Sequence, residues 1–158
     1  MRLTVYADYS LRLLIYLALQ GEGLTTISKV AEAYGISRHH LVKVGHRLGL
    51  EGYITTIRGQ NGGMRLARTA TEINVGEVVR RMEPDIALVP CFHPVDALCP
   101  IVPACLLRNA MEQARIAFLA VLDGYTLADL TKPRASLQGL LGIVQSPDRP
   151  GKSTLINI

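Results

Sequence analysis

Cysteine is almost missing from this 158-residue chain, and all of it falls in one place, at positions 91, 99 and 105. Three thiols in one short segment exclude a disulfide framework, which needs pairs. Charge is sparse too, at 19% of residues, below the share of about 25% in an ordinary globular domain. Part of the apolar surface is therefore expected to be covered by a second subunit. No run approaches the roughly 18 uninterrupted apolar residues of a spanning helix. The opening M-R-L-T-V-Y-A-D-Y is not a secretory signal, because Asp8 and Arg12 break any apolar core there. There is no internal repeat, no P-loop, no G-x-S-x-G, and nothing that assembles a Ser/His/Asp set. These absences argue against an enzyme and against a membrane protein. They favour a cytoplasmic chain, where thiols stay reduced and clustered cysteines more often serve a metal.

What is present is unevenly spread. Residues 1–70 hold nine Lys/Arg against four Asp/Glu, a net +5, while residues 71–158 hold eight against nine, a net −1. The excess sits in the front half, as expected of a region that meets a polyanion. The apolar share of 49% suffices for a core. The length suits one compact domain or a small domain with an appendage. The expected division is 1–70, 71–131 and a tail at 132–158 that is partly disordered.

The spacing of Val5, Tyr9, Leu13, Tyr16 and Leu17 predicts a helix over 5–20 with one apolar face, ended by Gly21 and Gly23. Asp8 and Arg12 stand four apart and can pair along it. Residues 24–50 read as a helix-turn-helix. Thr25 or Thr26 caps a first helix with Ile27, Val30, Ala31 and Tyr34 inward, and Gly35 makes the turn. Ser37 then caps a second helix with Leu41, Val44 and Leu48 inside. Arg38, His39, His40, Lys43, His46 and Arg47 crowd its outer side or front turn, as major-groove reading requires. Gly45 and Gly49 weaken that helix by about 1 kcal/mol each relative to Ala.

Two β-rich runs, Y-I-T-T-I and M-R-L-A, flank R-G-Q-N-G-G, whose N-G-G is expected to supply the positive-φ turn of a hairpin. A hairpin directly after a helix-turn-helix is a winged helix. Arg58 and Arg65 bracket its tip, and Gln60, Asn61, Gly62 and Gly63 lie within it, placed for phosphate or minor-groove contact. The fold expected is thus mainly α: a winged helix-turn-helix with a two-stranded β wing. A short helix at 73–83 buries Val75, Val78, Val79 and Met82. A long one at 104–123 presents Leu107, Ala110, Met111, Ala114, Phe118, Val121 and Leu122, a stripe suited to a dimer interface. Thr126 caps one more helical turn. The segment S-P-D-R-P-G-K-S reads as disordered.

Between the two later helices lies C-F-H-P-V-D-A-L-C-P-I-V-P-A-C, kept from helix by three prolines. Zinc wants four N/S ligands and iron–sulfur clusters usually take four thiolates, so the cysteines leave one ligand unfilled. Zinc held by Cys91, His93, Cys99 and Cys105 fits the residue types. A metal-free thiol switch is a further reading.

The segments L-T-V-Y-A-D-Y-S-L-R, V-A-E-A-Y-G-I-S-R-H-H-L-V-K, G-Y-I-T-T-I-R-G-Q-N-G-G-M-R-L, I-N-V-G-E-V-V-R-R-M-E-P, P-A-C-L-L and L-D-G-Y-T-L-A-D-L, with the three cysteines, closely resemble the winged-helix iron–sulfur regulators in their nitric-oxide-sensing branch. The likeness runs from residue 1 to about 131. It implies a homodimeric repressor of double-stranded operator DNA, with nitric oxide as effector. It implies an iron–sulfur cluster on Cys91, Cys99 and Cys105, completed by Asp8 of the partner subunit, with 4Fe–4S favoured over 2Fe–2S. Nitrosylation of the cluster would weaken operator binding, and Arg12 would serve as a switch that takes Asp8 when the cluster is lost.

Overall fold

The computed structural model describes residues 2–93 and 99–143. The S-P-D-R-P-G-K-S reading lies outside them. The described chain runs α1 (Val5–Gln20), α2 (Ile27–Tyr34), α3 (Arg38–Leu50), β1 (Ile54–Ile57), β2 (Gly63–Leu66), α4 (Val75–Met82), α5 (Leu106–Asp123), α6 (Leu127–Leu130) and α7 (Arg134–Leu140). This is the expected mainly α architecture with a two-stranded wing.

α1 starts where the Thr4 side chain accepts the Ala7 amide at 3.2 Å and stops at Gly21, φ 73°. One apolar face was expected, but the helix is wrapped. Ala7, Ser10, Leu13, Leu14, Tyr16, Leu17, Ala18 and Leu19 are all buried, and Val5 is half-exposed. The reason is position: α3, α4, β2, α6 and α7 all pack against it. The Ser10 hydroxyl tolerates burial because it donates to the Tyr6 carbonyl at 2.8 Å. Leu13, Leu14, Leu41, Val44, Leu48, Tyr53, Ile73, Val78 and Leu127 share one core.

Thr26, rather than Thr25, caps α2, and Gly35 takes the left-handed conformation at φ 62° before α3. Gly45 does more than weaken its helix. A Cβ there would lie 3.2 Å from Ile27 Cδ1, so the missing side chain lets α2 and α3 close on each other.

β1 and β2 pair antiparallel, Ile54 opposite Leu66 and Ile57 opposite Gly63. The expected turn chemistry is corrected here. Positive φ falls on Gly59 (118°), not on Asn61–Gly63. Gly62 and Gly63 are needed for close approach instead. A Cβ would lie 2.3 Å from the Ile57 carbonyl at 62 and 2.6 Å from the Thr25 carbonyl at 63. Thr25 and Met64 exchange backbone bonds of 3.1 and 2.8 Å, which ties the wing to the start of the helix-turn-helix.

Asn74 caps α4, whose Val75, Val78, Val79 and Met82 are buried as predicted. α6 opens with a capping box between Thr126 and Asp129. α7 docks on the end of α1: Arg134 and Gln138 both donate to the Leu19 carbonyl at 2.8 Å, and Ile143 enters the core. No helix among the described residues is long and apolar enough to cross a membrane.

Candidate nucleic-acid interface and metal centre

The outward face of the helix-turn-helix is built by α3. Leu41, Val44 and Leu48 are fully buried beneath it, so Arg38, His39, His40, Lys43, His46 and Arg47 are turned outward and exposed. Ser37 caps the helix, its side chain accepting the His40 amide at 3.4 Å. Arg38 Nε donates to Ser28 Oγ at 3.1 Å, which fastens the front of α3 to α2. His40 is flanked by the Tyr9 ring at 6.2 Å and the His39 ring at 6.1 Å. Arg47 is engaged differently from the rest: it pairs with Glu51 at 2.7 Å, and Glu51 also receives Arg81 of α4 at 2.7 Å. On the wing, Arg58, Gln60, Asn61 and Arg65 are exposed, whereas Gly62 and Gly63 are half-buried and contribute backbone. Reader helix and wing therefore put their cations outward from a fully packed base.

Sequence reasoning did not single out the joint behind this face. Arg80 and Arg81 are neighbours on α4 that serve different partners. Arg81 ties to Glu51 at the end of α3 and to Glu77 at 3.0 Å, while Arg80 makes a two-pronged bond to Asp123 at the end of α5, 2.7 Å at Nη1. Asp123 lies over Gly76, where a Cβ would meet its backbone nitrogen at 3.0 Å. The hydrogen bonds from the two arginines hold the Glu51 and Asp123 carboxyls below their ordinary range. No sequence signal marks this joint, because Glu51 and Asp123 lie far along the chain from the R-R pair.

The cysteine segment follows α4. Two tight 3₁₀ turns, Pro90–Phe92 and Val102–Ala104, carry its two ends, so α5 begins at Leu106 rather than 104. Cys91 and Cys105 are half-buried, Cys99 is exposed, and all three thiols are free. Cys105 is the N-cap of α5, its sulfur accepting the Arg108 amide at 3.4 Å. Arg108 Nε reaches back to the Cys91 carbonyl at 3.3 Å. His93 Nε2 stands 2.9 Å from Asp85 Oδ2, and the Ala87 amide and His93 together lower the Asp85 pKa. Among the described residues no three His, Cys, Asp or Glu side chains are placed to hold one ion. The donor chemistry nevertheless suits a thiolate-held iron centre: soft, unpaired sulfurs, one of them at a helix N-terminus where peptide dipoles favour the anion. Asp8 lies apart on α1, 42% exposed, with Arg12 Nε 2.9 Å from its carboxylate. The Arg12 guanidinium also covers the Tyr34 ring of α2 at 5.8 Å.

The predicted stripe on α5 divides. Met111, Phe118 and Leu122 are half-buried on the side toward α4, and Leu119, which the stripe omitted, is the buried one. Leu107 (63% exposed), Ala110, Ala114 and Val121 (62% exposed) continue the same face outward as a bare apolar strip.

A helix-turn-helix, its wing and a cysteine segment leading into a long helix narrow the comparison with known proteins. The family model described as Rrf2: Iron-dependent Transcriptional regulator matches residues 3–133. The chain belongs to the Rrf2 family. Over 142 residues this Rrf2 protein is 50% identical to the HTH-type transcriptional regulator NsrR of Bacillus subtilis (strain 168), covering 89% of this chain and 97% of that one. It is 51% identical to the like-named regulator of Geobacillus kaustophilus (strain HTA426), with the same coverages. Among solved structures it resembles CymR, the global cysteine regulator of B. subtilis, at 28% identity and a TM-score of 0.67, covering 84% of this chain and 98% of that one. T. potens IscR shares the fold at a TM-score of 0.69 and 24% identity, covering 92% and 94%.

Proposed function

We propose that this Rrf2 protein is a cytoplasmic, homodimeric repressor of double-stranded operator DNA that senses nitric oxide through an iron–sulfur cluster, 4Fe–4S rather than 2Fe–2S. Residues 1–70 read DNA and residues 71–131 sense and dimerise. Ser37, Arg38, His39, His40 and Lys43 address the groove, and Arg58, Gln60, Asn61, Gly62 and Gly63 address the flanking backbone. Arg47 acts from its bond to Glu51. Cys91, Cys99 and Cys105 hold three irons' worth of thiolate positions, and Asp8 of the partner subunit supplies the fourth ligand. The cluster, when bound, offers nitric oxide an iron held by a hard carboxylate, a weaker partner for it than thiolate. Arg12 and Tyr34 connect Asp8 to α2, so the carboxylate's partner bears on the stance of the helix-turn-helix. Two readers on a palindrome must stand about 34–36 Å apart, and a full change from bound to free takes on the order of 5 kcal/mol of differential affinity.

The observation that carries the reading is the meeting, in one chain, of a cationic winged helix with three free thiols at the root of a bare apolar helix. The experiment is an anaerobic absorption spectrum with iron and sulfide counts, taken with operator binding before and after nitric oxide. We expect a brown protein whose DNA affinity falls on nitrosylation. Equal affinity of clustered and cluster-free protein would reject the mechanism. One contact favours a second reading, structural zinc on Cys91, His93, Cys99 and Cys105. Asp85 bonds one ring nitrogen of His93, as carboxylates do behind metal-bound histidines. His93→Ala distinguishes them: harmless to the iron count in the first reading, ruinous to metal content in the second.

A further inference from the structure

We infer that Arg108 is the positioning residue of the iron–sulfur centre: it clasps the first cysteine's turn onto the helix that the third cysteine caps, and it keeps a cation beside them. This rests on the cluster reading above. Cys91 and Cys105 lie fourteen positions apart, Cys91 within one 3₁₀ turn and Cys105 directly after the other. Arg108 touches both ends. Its backbone N–H donates to the Cys105 sulfur at 3.4 Å, and its side-chain Nε donates to the Cys91 carbonyl at 3.3 Å. The guanidinium carbon also lies 5.7 Å from the Phe92 ring centre, next to Cys91. One residue thus spans the metal segment from both sides.

Its charge is not bound in an ion pair among the described residues, although it acts at longer range on the Glu112 carboxylate. Among the described residues Arg108 has no carboxylate within ion-pair distance, because Glu112, one turn along, is taken by Arg115 at 2.9 Å. Asp85, across the segment, is taken by His93. A cation held this close to a cluster favours its more reduced, more negative form. The side chain therefore has two separable effects, a geometric one through Nε and Phe92 and an electrostatic one through charge.

Arg108→Ala removes both and spares the backbone bond to Cys105. Arg108→Lys keeps the charge and loses the Nε contact. Gln113→Ala, exposed on the same helix, is the control. In iron-free protein, hydrogen exchange of the amides of Phe92 and His93 is expected to speed up in both Arg108 variants and not in the control, with Tm and oligomeric state unchanged. In anaerobically reconstituted protein, iron loss under air should be on the order of tenfold faster in the alanine variant, the lower end of what ligand-orienting partners cost. Its midpoint potential should move to more negative values, and lysine should restore the potential but not the retention. Unchanged exchange in the iron-free Arg108→Ala protein overturns the clasp whether or not the wild type binds iron. A wild type that takes up no iron removes the cluster reading, and with it the metal role of Arg108, while the exchange result still decides the clasp. Equal retention and potential in a brown Arg108→Ala protein overturns the positioning role.

Discussion

The two halves of this molecule are finished to different degrees. From α1 to β2 the chain is packed throughout, with α4, α6 and α7 closing over α1. Leu13, Leu41, Leu48 and Tyr53 are fully buried, and the exposed cations stand on packed ground. From α4 onward only one edge of α5 is covered, and Leu106, Leu107, Ile116 and Val121 stay in the open. A single chain can complete a winged helix, because its outward face needs only a rigid base. It leaves the bare strip of α5 uncovered, and α5 starts at the cysteine segment. A second copy seated on that strip would bring the cysteine segment next to the subunit interface.

The largest test opposes one leucine to one alanine. Leu13→Ala empties fully buried volume in the centre of α1 and should cost about 2–5 kcal/mol of folding stability, read as a lowered denaturant midpoint with no loss of dimer beyond that from unfolding. Ala114→Arg, on the bare strip of α5, should leave secondary structure intact and halve the mass seen by sedimentation. If Ala114→Arg unfolds the chain without first separating subunits, the strip is part of a private core and the contrast fails.

The same asymmetry decides what could be read in advance. The bounds of α1, the caps at Ser37 and Thr126, and the inward residues of α3 and α4 follow from local chemistry and periodicity, and the sequence carries both. The all-round burial of α1 was not legible, because a 3.6-residue pattern reports a face and cannot say how many elements gather around it. The wing's turn was misassigned for a related reason. N-G-G resembles a positive-φ turn, but what fixes Gly62 and Gly63 is the nearness of the Ile57 and Thr25 carbonyls, which is a tertiary fact. At the site, the cysteines announce themselves by type. Arg108, Asp85 and the Arg80–Asp123 and Arg81–Glu51 pairs do not, since an isolated arginine or aspartate is common on any surface.

Acid should separate the halves next. Hydrogen bonds lower the carboxyl pKa of Asp85 (from the Ala87 amide and His93), Glu112 (from Arg115), Asp123 (from Arg80) and Asp129 (from Thr126) in the latter half, and of Glu51 (from Arg81) and Glu72 (from Thr69) in the former. A folded pKa below the unfolded one means the unfolded chain binds more protons in the interval between them. Stability is then fully present above the ordinary carboxyl value of about 4 and lost as pH falls below it. The denaturant midpoint should be flat from about pH 7 to 5 and drop under about pH 4. Asp123 and Asp129 both belong to the joint between α4 and α6, so amides there, such as Tyr125 and Leu127, should begin to exchange before Tyr53 and Met64 do. Simultaneous release of both groups would show that the joint is no softer than the core.

The smallest effect is a single counterion. Arg65 is exposed on β2 opposite Thr55, with no carboxylate partner among the described residues. Arg80 is comparably charged but bonds Asp123 at the far side of α4. If the wing meets DNA backbone, Arg65→Ala should reduce the slope of log affinity against log salt by about 0.9, one phosphate's worth of released ions, on a mixed-sequence duplex. Arg80→Ala should leave the slope unchanged even where it lowers stability. The comparison is sharp because both variants remove one positive charge, so a shift driven by net charge alone would appear in both. A slope that changes equally in the two proteins would mean that the front half holds no privileged surface, and that its +5 acts only as a diffuse field.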